Sequence, residues 1–199
     1  MRRLRATLKR VAQDLQEERR RWALVGGFAV SARALPRTTR DIDVAVSVQD
    51  DADAEALVYA LQHRGYTLLT SIEQTATGRL ATVRFTGPRS TVVVDLLFAS
   101  SGIEPEVAAR AGLVEVLRHL SIPVAQISDL IAMKLLSRDD RRRPQDAADL
   151  RELLREASVE EISAARAALA LITVRGFARG KDLAAELQRA LGDLAGGDA

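Results

Sequence analysis

The chain has 199 residues, of which 47% are hydrophobic and 28% charged, as is ordinary for a globular protein able to form one compact domain. The absence of cysteine excludes disulfides, thiolate metal sites and thiol nucleophiles. Because no apolar run approaches membrane-spanning length and the arginine-rich N-terminus does not resemble a secretory signal, we expect a cytoplasmic, monomeric protein with no membrane partner.

The net charge is only +2, but the positive charges are unevenly placed and nearly all are arginines. Lysine occurs three times, at Lys9, Lys134 and Lys181. Arginines cluster at Arg2, Arg3 and Arg5, at Arg19 to Arg21, and at Arg138 with Arg141 to Arg143. Such clusters can contact a nucleic-acid backbone. Because acidic residues are interspersed in each region, a solvated helix face is the favoured interpretation for any single cluster.

The first half of the chain alternates between helical and strand-like patterns. Apolar residues at helical spacing predict an opening helix that ends near Arg21. The next segments predict strands over 22–25 and 42–46, separated by Gly26-Gly27 and a helix over 28–34 that Pro36 terminates. A helix over 54–63 and three strands joined by turns follow, in the pattern of an antiparallel meander, over 66–70, 80–85 and 91–98.

After Gly102 the pattern becomes mainly helical. A short helix from Pro105 and an apolar segment near 122–124 precede four helices, predicted over 129–137, 144–157, 159–175 and 181–194, with a frayed tail after them. Ser128 is the predicted cap of the first of these four, Pro144 lies in the first turn of the second, and Ser158 with Glu161 forms a capping box for the third. The expected fold is α+β, with a mixed β-sheet core flanked by helices and a helical C-terminal half. We expect a core with its N-terminal helix over 1–102 and a helical region packed on it over 103–199.

Two aspartates one residue apart, Asp41 and Asp43, open the second predicted strand. Side chains at i and i+2 of a strand point to the same face, so these carboxylates would repel each other unless a cation lies between them. An isolated Asp-x-Asp is more often a turn or cap. A third carboxylate, Asp95, lies in the middle of the strongly strand-like run over 91–98 and makes that alternative less favoured, since a buried charge needs a partner. If the two strands are neighbours, all three carboxylates converge, and Mg²⁺ prefers such oxygen ligands.

Gly26 and Gly27 follow the first predicted strand and precede a short helix. Bare backbone there can approach a phosphate, and a helix N-terminus presents free N–H groups to it. The pair therefore indicates a phosphate-binding turn.

This order of motifs resembles the nucleotidyltransferase superfamily with the DNA polymerase β-type catalytic core. The stretch from Trp22 to Val46, with Pro36-Arg37-Thr38-Thr39-Arg40 before Asp41, is more specifically similar to AbiEii-type nucleotidyltransferase toxins, including the MenT group. Two helical motifs in the second half agree, Asp129 to Leu135 and Arg143 to Leu150. The resemblance covers about residues 22–154. Superfamily members often carry Gly-Ser where this chain has Gly26-Gly27, so one hydroxyl contact to the phosphates is missing.

The resemblance implies transfer of a nucleoside monophosphate from an NTP, with release of pyrophosphate. Asp41 and Asp43 would hold Mg²⁺ on the triphosphate, and Asp95 would ligate a second Mg²⁺ and help to deprotonate the attacking hydroxyl. Two such metals stabilise both the attacking and the leaving oxygen of an in-line displacement.

Lys134 is unusual because it is a lysine on an apolar helix face in an arginine-rich chain. Its compact ammonium is suited to reaching a triphosphate, whereas the alternative is a surface lysine with an exposed head. Asp146 matches the family motif, belongs with the nucleotide-binding residues, and could orient Lys134 or an arginine. Asp149 could equally be a charge on the helix surface.

Thr39 lies two residues before Asp41 and belongs with the predicted nucleotide-binding residues. In the toxin-like branch this hydroxyl position can be phosphorylated by a partner, and a phosphate there would compete with the NTP. The alternative is that Thr38 and Thr39 satisfy backbone groups of the loop, which is favoured for Thr38.

Three functions fit these observations. The first is a growth-inhibiting toxin that adds nucleotides to an RNA acceptor, with the tRNA 3′ end as the expected substrate and a cognate antitoxin as a possible partner. The second is a nucleotidyltransferase for a small hydroxyl compound such as an antibiotic, which calls for an acidic pocket. The third is a non-catalytic nucleotide-binding regulatory module, which the intact carboxylates and Lys134 disfavour.

Overall fold

The computed structural model describes residues 2–36, 38–139 and 144–196. The first half contains α1 (Arg2–Glu17), β1 (Trp22–Val25), α2 (Gly26–Arg33), β2 (Ile42–Val46), α3 (Asp51–His63), β3 (Thr67–Glu73), β4 (Leu80–Thr86) and β5 (Val93–Leu97). The second contains α4 (Glu104–Arg110), β6 (Gly112–Leu117), β7 (Leu120–Val124), α5 (Ile127–Ser137), α6 (Pro144–Glu156), α7 (Val159–Val174) and α8 (Leu183–Gly196). This mixed arrangement confirms the α+β prediction.

The seven strands form one sheet in the order β3-β4-β5-β2-β1-β7-β6. Strand β2 pairs parallel with β5, and β1 pairs parallel with β7, whereas the remaining neighbours are antiparallel. The meander predicted for β3, β4 and β5 is therefore confirmed. Strand β6 was not predicted, and it forms a hairpin with β7 that extends the sheet from the second half of the chain. The domain boundary at residue 102 stays a prediction.

Helix α1 packs through one apolar stripe, in which Leu8, Val11 and Leu15 are buried. Its buried Asp14 carboxylate accepts a hydrogen bond from the Tyr66 hydroxyl at 2.9 Å. Helix α2 contacts β1 and β2 and also α5 and α6. Arg33, at the end of α2, donates to the carbonyl oxygens of Val124 and Ala125, at 3.0 Å each, and so ties α2 to the end of β7.

Several helix limits differ from the predictions. Helix α1 ends at Glu17 rather than near Arg21, and Arg19 adopts a left-handed φ of 54° in the turn that follows. Ser128 is not a cap: the first bond of α5 runs from the Leu130 N–H to the Gln126 carbonyl at 3.0 Å, so the helix begins before Ser128.

Further along the chain the agreement is closer. The Ser158 capping box is confirmed, because both of its reciprocal bonds with Glu161 are present. Helix α8 continues to Gly196, so the predicted fraying does not begin at Ala195, and residues 197–199 lie outside the described part. Among the described residues, we find no helix with the length and apolar character that crossing a membrane requires.

Candidate active site

Four residues on adjacent strands form a row across one face of the sheet. Asp43 of β2 is the register partner of Val25 on β1 and of Asp95 on β5, and Asp95 is in turn the partner of Arg84 on β4. Cross-strand partners share a face, so Asp43 and Asp95 are placed side by side as the sequence predicted.

Arg84 holds Asp95 through a two-pronged ion pair. Its Nε and Nη2 donate to the two carboxylate oxygens of Asp95 at 2.8 and 2.7 Å. The Asp95 side chain is 9% exposed and that of Arg84 is 46% exposed. This pairing raises the pKa of Arg84 above its usual range. Sequence reasoning missed Arg84, although the signal was present as a lone cation in the alternating strand Leu80–Thr86.

Asp43 lies in an environment that opposes its negative charge. Burial and the neighbouring Asp95 carboxylate raise the pKa of Asp43 to about 6, while the positive charges of Lys134 and Arg84 act in the opposite direction. The Asp43 carboxylate therefore lies near both Asp95 and Lys134. Strands β2 and β5 and helix α5 meet at this point.

The backbone of Gly26 lies very close to the Asp43 side chain. Its φ is +62°, and a Cβ built on it would lie 2.0 Å from the Asp43 Oδ2. Only glycine permits both this backbone conformation and this approach. Helix α2 begins at Gly26, and no side chain caps its N-terminus among the described residues. Gly27 is buried in the first turn of the same helix.

Lys134 points inward and is held by two carboxylates. Its Nζ lies 2.7 Å from the Asp146 Oδ1 and 2.8 Å from the Asp149 Oδ2. Its side chain is only 12% exposed, so the interpretation as a surface lysine is wrong. The alternative of Asp149 as a surface charge is also wrong, because Asp149 is 2% exposed. The Ser137 hydroxyl completes the cluster with a bond of 3.2 Å to Asp146.

Asp41 is exposed and stands just before β2. The hydroxyl of Thr39 donates to its backbone carbonyl at 3.3 Å. In the described ranges, His, Asp and Glu side chains do not form a group of three or more suited to a metal ion. Both oxygens of Asp95 accept bonds from Arg84. The assignment of a metal to Asp41, Asp43 and Asp95 therefore stays a prediction, as do the nucleotide-binding roles of Gly26, Gly27, Thr39, Lys134 and Asp146.

Arg138 follows α5 directly, one turn beyond Lys134. It lines a cavity of about 220 Å³ with Lys181, Glu186 and Arg189. The other members of the predicted arginine cluster, Arg141 to Arg143, lie outside the described residues.

Comparison with known proteins agrees with this geometry. The family model described as nucleotidyl transferase AbiEii toxin, type IV TA system, matches residues 10–195. No curated protein is significantly similar in sequence.

Solved structures provide a second comparison. The antibiotic-resistance factor ANT(2'')-Ia is 16% identical with a TM-score of 0.54, the match covering 85% of this chain and 91% of that one. JHP933 from Helicobacter pylori is 16% identical with a TM-score of 0.47 (96% and 88% covered). The lincomycin-bound lincosamide antibiotic adenylyltransferase LnuA is 14% identical with a TM-score of 0.48 (76% and 97% covered). At these identities the likeness to ANT(2'')-Ia concerns the fold alone.

Proposed function

We propose a reaction for this chain, which belongs to the AbiEii family of nucleotidyltransferase toxins of type IV toxin–antitoxin systems. In this reaction the protein transfers a nucleoside monophosphate from an NTP to the 3′ end of tRNA. The reaction forms a bond from the RNA 3′ oxygen to the α-phosphorus and breaks the bond from that phosphorus to the β-phosphate oxygen. Pyrophosphate leaves, and the proton of the hydroxyl passes to a carboxylate. The resulting change in tRNA would inhibit growth, and an antitoxin would oppose it.

The observation that carries this proposal is the pairing of Asp43 with Asp95 beside Gly26 and within reach of the charge of Lys134. Two carboxylates side by side in a partly buried row have no folding benefit of their own. Their oxygen donors and the repulsion that raises the pKa of Asp43 fit a divalent cation. Asp43 and Asp95 would hold Mg²⁺, with Asp41 as a further ligand from the exposed start of β2.

Bound Mg²⁺ would neutralise charge on the triphosphate and on the attacking and leaving oxygens. The residues of the chain provide the rest. Lys134, oriented by Asp146 and Asp149, would bind the phosphates as a compact positive charge. Gly26 allows α2 to begin directly against Asp43, which brings the first N–H groups of the helix to the same place.

Asp95 would accept the hydroxyl proton of the acceptor. Arg84 competes with the proton for this carboxylate, because its two guanidinium bonds of 2.8 and 2.7 Å engage both carboxylate oxygens. Arg84 is 46% exposed and can turn towards solvent or towards a phosphate. The negative charge of an incoming nucleotide favours that movement.

The charges that line the cavities favour RNA over a cationic drug as acceptor. In the described part of the chain, one cavity has four cationic and no acidic side chains in its lining, and a smaller one is lined by three cationic residues and Glu186. An antibiotic nucleotidyltransferase would need carboxylates to bind a cationic drug. Arg138, close to Lys134 along the chain, is placed to meet an RNA backbone.

The test is to incubate the protein with each α-labelled NTP, Mg²⁺ and total tRNA, and to follow label on the RNA. We expect label at the 3′ end with the wild-type protein and none with Asp43→Asn. A variant with Arg138 and Arg141 to Arg143 changed to Gln should label tRNA poorly while binding NTP normally. Label on lincosamides or aminoglycosides, with none on tRNA, would overturn the RNA assignment and support the antibiotic alternative.

A further inference from the structure

One cavity in the described part of the chain lies away from the catalytic row. It has a volume of about 810 Å³ and is bounded by α1, the start of β1, the end of α4 and the β6–β7 hairpin. Trp22 and Ile122 form part of its apolar floor, and Lys9, Gln13, Arg19 and Arg21 stand at its exposed rim.

The rim carries positive charges that no described acidic residue neutralises. Among the described residues, Lys9, Arg19 and Arg21 make no ion pair and no side-chain hydrogen bond, and no Asp or Glu lines the cavity. Arg20 also lines it but turns its guanidinium to the Asp53 carboxylate at 2.5 Å, and its buried Nε has no partner. The cavity therefore offers three available cations.

The acidic residues near the end of α1 pair with groups other than the rim cations. Arg64 pairs with Asp14, Glu17 and Glu18, with bonds of 3.2, 2.5 and 2.7 Å. Glu17 also accepts a hydrogen bond from the rim residue Gln13 at 2.9 Å. Arg10 also contacts Asp14, at 2.8 Å. The exposed positions of Lys9, Arg19 and Arg21 fit the solvated face that the sequence favoured, and a ligand for these cations stays a prediction.

The positive face continues along the whole helix. Arg2, Arg5 and Lys9 are spaced by three and four residues, which places them on one side of α1, and all three are exposed. In the described part of the chain, neither Arg2 nor Arg5 has an ion-pair partner. A helix of 16 residues is about 24 Å long. We define the basic stripe as Arg2, Arg5, Lys9, Arg19 and Arg21.

We infer that the basic stripe and its cavity bind the phosphodiester backbone of the RNA acceptor. This inference rests on the proposed function and names the surface that the acceptor occupies. A row of cations over about 24 Å matches several successive phosphates, which a mononucleotide or free phosphate cannot span. The cavity lies at the Trp22 end of β1 and Gly26 at the other end, about 13 Å away along the strand.

Three lysines make the first experiment simple. Lys9 is exposed, whereas Lys134 is held by two carboxylates, and the Nζ of Lys181 donates to three backbone carbonyls. The protein is treated with an amine-reactive reagent with and without tRNA, and modification is read by mass spectrometry. We expect tRNA to reduce modification of Lys9 by at least about fivefold, and ATP or inorganic phosphate to leave it unchanged.

The second experiment measures tRNA binding against salt concentration. In Lys9→Gln/Arg21→Gln we expect tRNA affinity to fall on the order of tenfold or more at 0.1 M salt, and the slope of log K against log salt to become shallower by about two. The matched control is Arg151→Gln/Arg166→Gln, which removes the same charge from exposed positions of α6 and α7 and should keep wild-type affinity.

The outcomes separate the two proposals. Normal tRNA binding by the stripe variant, or protection of Lys9 by ATP or phosphate alone, overturns the inference. An equal loss in the control variant also overturns it, because binding would then be diffuse. If the wild-type protein binds tRNA through the stripe but adds no nucleotide to it, the stripe stands and the proposed reaction fails.

Discussion

Asp43 and Asp95 are direct cross-strand partners on the parallel strands β2 and β5, and each is constrained from its other side. The backbone of Gly26 lies directly against the Asp43 side chain, and the Arg84 guanidinium donates two hydrogen bonds to the Asp95 carboxylate. The sheet register fixes the backbones of these two residues side by side. The site therefore keeps an electrostatic conflict that a cation would relieve.

The first prediction concerns the charge of Asp43. Its pKa in the folded protein is about 6 against an ordinary value of 3.8, so the folded state binds the proton more tightly than the unfolded chain. The favourable contribution is present below about pH 4 and is lost as pH rises through 6. We expect Asp43→Asn to stabilise the metal-free protein at pH 7.5 by on the order of 2 kcal/mol. Thermal melts at pH 7.5 and 5 should show a smaller gain at the lower pH.

The same variant should lose nucleotidyl transfer completely, because a neutral amide is a poor ligand for a hard cation. Asp193→Asn on the exposed surface of α8 is the control and should change neither property. A variant at Asp43 that melts earlier than the wild type at pH 7.5 would contradict this account.

The second prediction separates binding from stability at Lys134. Lys134→Met leaves Asp146 and Asp149 buried without their cation, so we expect a loss of about 3 kcal/mol and weak NTP binding. Adding Asp149→Asn should recover much of the stability but none of the NTP binding. Lys134→Arg should not restore turnover, because a planar guanidinium does not fit where an ammonium sits. Wild-type NTP affinity in Lys134→Met would assign the lysine to folding alone.

The third prediction concerns Arg84. Because its guanidinium engages both oxygens of Asp95, Arg84→Met should free a ligand and tighten Mg²⁺ or Mn²⁺ binding several-fold, as measured by calorimetry. Arg79→Met removes a different arginine ion pair, with Asp51 at 3.2 Å, and should leave metal binding unchanged. Unchanged or weaker metal binding in Arg84→Met would show that Arg84 does not compete with the cation.

The fourth prediction uses two glycines with similar backbones. Gly26 has φ +62° and meets Asp43, whereas Gly78 has φ +67° and a Cβ added to it would meet nothing within 4 Å. Gly78→Ala carries only the cost of the left-handed backbone, about 1 kcal/mol. Gly26→Ala adds the clash, so we expect a larger loss of stability and a loss of metal binding. Equal melting temperatures for the two variants would mean that the carboxylate moves aside easily.

The fifth prediction concerns Thr39. It lies two residues before Asp41 and bonds the Asp41 carbonyl, so added charge there would face the carboxylates and repel a triphosphate. We expect Thr39→Glu to lose nearly all transfer and Thr39→Ser to keep it, with both variants folded normally by circular dichroism. Full activity in Thr39→Glu would leave the hydroxyl as a support of the loop.

Much of the site could be predicted from local pattern. The central strands are short apolar runs, and Asp43 and Asp95 stand out because each is a charge within such a run. Arg84 was not assigned, since the predicted meander places β4 beside β5 but does not give the register that makes Arg84 the partner of Asp95. Strand β6 escaped prediction for a similar reason, because Gly112–Leu117 is half exposed and gains its order only by pairing with β7.

The partners of the charged residues were harder still to predict, because an ion pair depends on which distant elements pack together. The sequence shows Asp14, Glu17 and Glu18 among the cations in and after α1, but it does not show that the distant Arg64 pairs with all three. Asp149 likewise could be assigned to the interior only once α5 and α6 were seen to pack together. Long-range ion pairs therefore mark the limit of what spacing alone can predict.

The three bonds from Lys181 to the carbonyls of Leu135, Leu136 and Arg138 have a consequence for the C-terminal end of the chain. They place an ammonium at the negative end of α5, one turn from Lys134, and thereby fasten the segment leading into α8 to the helix that carries the active-site lysine. A chain cut before Lys181 would leave these carbonyls without their donor and would also remove Leu183, Leu187 and Ala190 from the core. Loss of the last helix is thus expected to disturb the position of Lys134 and the stability of the fold together.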